Sequence, residues 1–360
     1  MSFKNITAFR ASLLNWYLHN RRNLPWRQSK DPYAVWVSEV MLQQTQVKTV
    51  IAYYTTFLDR FPNIKKLAAS DLQDVLKVWE GLGYYARARN LHRSAIEITK
   101  RHDGIIPKDW KQFRSLPGIG EYIAAAVLSI AFDQPFAVVD GNVKRVLARI
   151  FKMPQSINKS ACNKVFQTKA DTLIDKQQPG TFNQAMMELG AMICTSHHPE
   201  CRHCPVSLHC GAFASEKVTA YPKREKKNRP PLHHIAIGVV QKNNRILITR
   251  RKKEGLLGGL WEFPGGKIKP DETSAVALER EIKEETALDV NNLTFLTRVK
   301  HAYTHFKIEA DVFLCNYRKG NVRLKGPIDY RWIEPFEIKN YPFPKANHKF
   351  IPLLLQRLET

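Results

Sequence analysis

Apolar residues recur at helical spacing from the start of the chain. In "MSFKNITAFRASLLNWY", Ile6, Phe9, Leu13 and Tyr17 fall on one side, as the buried face of an amphipathic helix requires. "ASDLQDVLKVWEGLG" predicts a helix that opens on a capping box of Ser70 and Gln73 and stops at Gly81. "YYARARNLHRSAIEITKRH" continues the same period, and strand-like alternation is scarce before residue 213. Beyond "EKVTAYPKREKKNRPP" the pattern changes to strand-like runs: "HHIAIGVVQ", "RILITRR", "ALDVNNLTFLTRV" and "KIEADVFLCNY". One strong helix, "SAVALEREIKEETA", interrupts them. The predicted fold class is therefore multidomain, α plus α/β. A helical domain spans 1–213, a basic Pro-rich linker 214–231, and a domain with a mixed or antiparallel sheet 232–360.

A chain of 360 residues is long for one hydrophobic core, in keeping with two domains. Lys and Arg total 56 against 33 Asp and Glu, a net charge of +23. Such a field attracts polyanions, nucleic acid being the commonest; a Lys-rich solvated surface is the plainer account. The longest apolar stretch, around "IAAAVLSIAF", is too short to cross a bilayer. The N-terminus lacks the basic start, apolar run and cleavage site of a secretory peptide. The expectation is a monomer with no membrane partner, cytoplasmic and nucleoid-associated. In that compartment cysteines stay reduced, so clustered thiols point to metal rather than disulfides.

Such a cluster exists, spaced Cys194-x6-Cys201-x2-Cys204-x5-Cys210. Four thiolates suit zinc or an iron–sulfur centre, and the spacing by itself leaves both open. Elsewhere, "LPGIG" places Gly118 and Gly120 between two helical stretches, where the backbone turns tightly and the next helix presents its first N–H groups outward. Asp140 in "VVDGNVKRVLARI" occupies an N-cap position. Glu39 follows Ser38 at what reads as a helix start, among Val35, Trp36, Val37, Val40 and Met41. Apolar surroundings of that kind raise a carboxyl pKa.

The cysteine spacing, "LPGIG" followed by "VVDGNVKR", and "DPYAVWVSEVMLQQTQVKTV" together resemble the endonuclease III and MutY family within the helix-hairpin-helix glycosylase superfamily. The resemblance implies a 4Fe–4S cluster on the four cysteines and a DNA phosphate held by the hairpin amides at Gly118 and Gly120. It implies that Glu39 is the general acid protonating adenine N7, and that Asp140 stabilises the sugar cation with support from Asn142 and Lys144. Lyase relatives carry a lysine where this chain has Tyr122. A tyrosine cannot form their imine, so a monofunctional MutY-type adenine glycosylase is implied, with Tyr122 lying between the two carboxylates. Gln43, Gln44 and Tyr84 match the family's wedge, which fills the gap left by a flipped nucleotide.

"GGLWEFPGGKIKPDETSAVALEREIKEETAL" resembles the Nudix fold. Gly266, Glu272, Arg280, Glu281, Ile282, Glu284, Glu285 and Leu288 match its box, and Ala287 departs from it where glycine is expected. Glu281, Glu284 and Glu285 share a helix face able to collect Mg²⁺. In MutY proteins this domain reads 8-oxoguanine, and "HAYTHF" supplies Tyr303, Thr304 and His305 to the lesion loop. The implied partner is double-stranded DNA holding A opposite 8-oxoguanine or G. An endonuclease III-like lyase, a Nudix nucleotide hydrolase with a DNA-binding appendage, and a non-catalytic DNA-binding protein are the alternatives.

Overall fold

The computed structural model describes residues 5–225 and 229–359, so residues 226–228 of the expected linker lie outside the described residues. Twelve named helices precede the first strand: α1 (Ile6–Asn20), α2 (Pro32–Leu42), α3 (Val47–Arg60), α4 (Ile64–Ala68), α5 (Leu72–Val78), α6 (Ala86–His102), α7 (Trp110–Arg114), α8 (Glu121–Phe132), α9 (Gly141–Ile150), α10 (Asn163–Leu173), α11 (Pro179–Met192) and α12 (Gly211–Ala214). The chain forms two compact units. One joins Met1–Ala68 to Arg93–Lys227; the other joins Ala69–His92 to Asn228–Thr360. None of the described helices is long and apolar enough to cross a membrane.

In the first unit, Phe9, Leu13 and Tyr17 of α1 are buried as their spacing predicts. They join Val143, Val146 and Leu147 of α9 and Phe182, Met186 and Leu189 of α11 in one cluster. Burying side chains of this size contributes roughly 1.5–3 kcal/mol each. Helix α8 is apolar nearly all round and correspondingly central, with every residue from Ile123 to Ile130 buried. Gly190 lets α11 approach the start of α9, since a Cβ there would stand 2.7 Å from that of Asn142.

The second unit holds a mixed sheet of β1 (Leu232–Lys242), β2 (Arg245–Arg250), β3 (Trp261–Glu262), β4 (Gly265–Lys267), β5 (Asp289–Ala302), β6 (Lys307–Lys319) and β7 (Asp329–Ile333). Its order is β3-β2-β1-β6-β5, with β4 paired to β1 and β7 to β2. Strands β1 and β6 run parallel; the other pairs are antiparallel. Helix α13 (Ser274–Thr286) packs Ala277, Leu278 and Ile282 on one face, with Ala236, Val240 and Phe313. Ile351 and Leu354 of α14 (Ile351–Glu359) join the cluster of Val239, Ile248 and Val312 on the other.

Residues 69–92 belong by sequence to the helical half, yet they pack into this second unit. Gln73 donates to the Gly259 carbonyl at 3.0 Å and accepts from the Trp261 indole at 2.9 Å. Glu80 accepts from the Phe343 amide at 2.7 Å. The start of α5 also differs by one residue from the predicted capping box. Asp71, not Ser70, is the cap, its carboxylate accepting the Gln73 amide at 2.6 Å.

Candidate active site

Glu39 is a buried carboxyl, 4% exposed on a helix whose Val35, Trp36, Val37 and Val40 are buried with it. The structure corrects its place in the helix. Asp31 caps α2 and Pro32 opens it, so Glu39 lies in the last turn rather than at the start. The signal was the Asp-Pro pair, which sets an N-cap and first helical residue. Near a C-terminus the backbone dipole disfavours negative charge, which adds to the effect of burial. Burial is the dominant influence and pushes Glu39 up to about 7; the Tyr122 hydrogen bond opposes it, the Asp140 charge reinforces it, and Arg27 opposes it.

Tyr122, in the first turn of α8, donates its hydroxyl hydrogen to Glu39 Oε2 at 2.5 Å. Burial and the nearby carboxylates hold the phenol well above its usual pKa, so it stays a donor. Asp140 caps α9, accepting from the Val143 amide at 2.6 Å and from Asn142 Nδ2 at 3.1 Å. The N-cap reading therefore holds. Burial nevertheless raises the Asp140 pKa, while the Val143 and Asn142 hydrogen bonds pull the other way. Glu39, Tyr122, Asp140 and Asn142 thus form one group. Lys144 donates to Asn163 Oδ1 at 2.6 Å, and it shares with Tyr122 and Gly120 an open cleft of about 910 Å³.

At the hairpin, Gly118 has φ +76°, a conformation that glycine adopts without strain. Gly120 is extended, and a Cβ added there would meet open space. Gln43 ends α2, and Gln44 follows with φ 57°.

The four cysteines of the loop line one cavity of about 300 Å³, together with Arg149, Ile193, Ser207, Phe213 and Val218. Burial raises Cys201, Cys204 and Cys210, with Cys204 pushed up to about 12. Among the described residues, no three His, Cys, Asp or Glu side chains converge on the position of a single ion. Four cysteine sulfurs on one cavity are a donor set that an iron–sulfur cluster takes. Two buried arginines of α9 reach this loop: Arg149 donates to Cys194 Sγ at 3.2 Å, and Arg145 to the Cys194 carbonyl at 2.7 Å. Arg145 also donates to Asn142 Oδ1 at 2.9 Å.

Sequence reasoning missed several supports. Arg22 and Arg27 both reach the buried Glu188 carboxylate, at 2.6 and 2.9 Å, and hold its pKa down to about 2 despite burial. Asn183 ties the chain ahead of Asp140, accepting from the Val138 amide and donating to the Phe136 carbonyl. These partners are remote in sequence, and no local motif marks them.

In the second unit Tyr84 has φ 50° between Gly83 and the start of α6, and its hydroxyl hydrogen-bonds Thr304 Oγ1. Tyr303 stacks on Phe306 at 4.7 Å in the same β5–β6 hairpin, and His305 is exposed. The α13 carboxylates, expected to collect Mg²⁺, have partners within the protein. Glu281 accepts from Arg280 at 2.7 Å, Glu284 lies 3.5 Å from the same guanidinium, and Glu285 accepts the Gly265 amide at 3.3 Å. Burial, with the Glu262 charge, pushes Glu285 up to about 7.

Known families match both halves of the chain. A family model described as HhH-GPD superfamily base excision DNA repair protein matches residues 37–170, and a NUDIX domain model matches 236–353. The adenine DNA glycosylase of Rattus norvegicus is 36% identical, covering 96% of this chain and 77% of its own length. That of Buchnera aphidicola is 35% identical, with 84% of each chain covered. The structure of a thermostable thymine-DNA glycosylase superposes with a TM-score of 0.55 at 28% identity, over 59% of this chain and 98% of that one.

Proposed function

Because the chain belongs to the adenine DNA glycosylase family, we propose that it removes adenine paired with 8-oxoguanine or guanine, and that Glu39 and Asp140 divide the chemistry. The protein is a DNA N-glycosylase of base excision repair, and DNA is its substrate. Adenine inside a duplex cannot reach a buried carboxyl, so the nucleotide turns out of the helix first. Glu39, protonated near neutrality, gives its proton to N7 of the base, which makes adenine a competent leaving group. The Asp140 anion then steadies the positive charge developing on the sugar, the division of labour seen in glycoside hydrolysis. Tyr122 orients the acid, and Asn142 orients the Asp140 carboxylate. Tyrosine at 122 replaces the lysine with which lyase relatives attack the sugar, and a phenol forms no imine, so strand cleavage by that route is not part of the reaction.

Gripping and recognition fall to other residues. The amides around Gly118 and Gly120 take a phosphate, with Lys144 beside the same cleft. Gln43, Gln44 and Tyr84 fill the space that the nucleotide leaves. Tyr303, Thr304 and His305 face 8-oxoguanine. Cys194, Cys201, Cys204 and Cys210 hold a 4Fe–4S cluster that fastens their loop. The assignment is completed by a monomer acting on the nucleoid in the cytoplasm, in keeping with the charge of +23.

The observation that carries this reading is the 2.5 Å bond from Tyr122 to Glu39, a carboxyl only 4% exposed. Its test is single-turnover adenine release from a duplex holding one A opposite 8-oxoguanine. Glu39→Gln keeps DNA binding and loses about 10²-fold or more in rate, the contribution expected of a positioned acid. A variant within a few-fold of the wild type would remove Glu39 from the mechanism.

A further inference from the structure

We propose that the Met187 thioether is an oxidation site through which peroxide switches off base release. Met187 lies on α11 beside Glu188, and its Sδ stands 3.8 Å from the Tyr122 hydroxyl. That hydroxyl has one hydrogen, now given to Glu39. The sulfur is a weak second acceptor and competes poorly. Met41, Met153 and Met186 are 0%, 3% and 2% exposed, whereas Met187 is partly open, so a small oxidant reaches it more readily than those three.

Hydrogen peroxide supplies the balance of the step. Its O–O bond breaks, one oxygen bonds to sulfur, and the other leaves as water. Sulfur loses two electrons and the peroxide gains them. The product sulfoxide is polar and a strong hydrogen-bond acceptor, unlike the thioether it replaces. Set beside Tyr122, it draws the single hydroxyl hydrogen away from Glu39 and crowds a packed site. Glu39 then loses the donor that orients it and stabilises its anion.

The inference rests on Glu39 acting as the proton donor, and the experiment keeps the two claims apart. The full-length enzyme is treated with hydrogen peroxide, Met187 oxidation is followed by peptide mass spectrometry, and single-turnover adenine release is measured at neutral and alkaline pH. Release should fall about a hundredfold as Met187 is converted, the low end of what a positioned acid contributes. The alkaline limb of the remaining activity should move to higher pH, as it should in Tyr122→Phe. Methionine sulfoxide reductases should restore the rate. Met187→Leu, close in volume but without sulfur, should keep most of its own untreated rate after the same exposure. The proposal is overturned if Met187→Leu loses the same fraction as the wild type, or if activity disappears while Met187 stays a thioether. Persistent release by Glu39→Gln would sink the acid role alone, leaving the fractional losses of wild type and Met187→Leu still comparable.

Discussion

Burial, a hydrogen bond and neighbouring charges act together on the Glu39 carboxyl, and burial wins. Its pKa rises from 4.5 to about 7 on folding. Between those values the native chain keeps a proton that the unfolded chain has released. Stability therefore falls as pH rises through that window and levels off above it, by roughly 3 kcal/mol in all. Glu39→Gln removes the ionisation from both states. Denaturant unfolding across this range should show the variant gaining on the wild type as pH increases, and parallel curves would contradict the buried proton. The apolar neighbours that cause the shift are readable in the sequence, and the Asp31-Pro32 pair marks the helix start that puts the residue near the far end.

Elements were legible in proportion to their length and regularity. The long strands β1, β2, β5 and β6 and helix α13 follow their sequence patterns closely. Strands β3 and β4 have two and three residues, too few to show a period, and exist because β2 and β1 offer partners. The end of α13 is a different case. Ala287, the one departure noted in the Nudix box, has φ 61°, the left-handed turn that glycine favours. An alanine there costs about 1–2 kcal/mol of backbone strain, offset in part by the entropy that a glycine would lose on folding. Ala287→Gly should raise stability by up to about 1 kcal/mol in thermal melts, and a lower melting temperature would mean that the methyl contributes packing.

For the molecule entire, the excess of basic residues sets how DNA is held. Phosphate contacts release counterions, so affinity for a duplex should drop roughly a thousandfold or more between about 50 and 200 mM salt if six or more phosphates are engaged. A shallow slope in a binding titration would mean that few lysines and arginines touch the backbone. The charge balance made a polyanion partner legible from composition alone. The proposed catalytic group was legible through motifs rather than periodicity, since Glu39, Tyr122 and Asp140 meet only when α2, α8 and the cap of α9 are brought together.

Residues 69–92 reach beyond bookkeeping of domains. The polypeptide passes between its compact units three times, near 68, 92 and 227. A gene cut at the apparent linker would encode a C-terminal fragment missing Gln73 and Glu80, stranding the Trp261 indole and the Phe343 amide without acceptors. Each orphaned donor costs about 1–3 kcal/mol where it is buried. Expressed alone, that fragment should melt well below the same fragment supplied with a 69–92 peptide, so evolution could not have exchanged the sheet as a freestanding cassette without carrying this stretch of the helical half along.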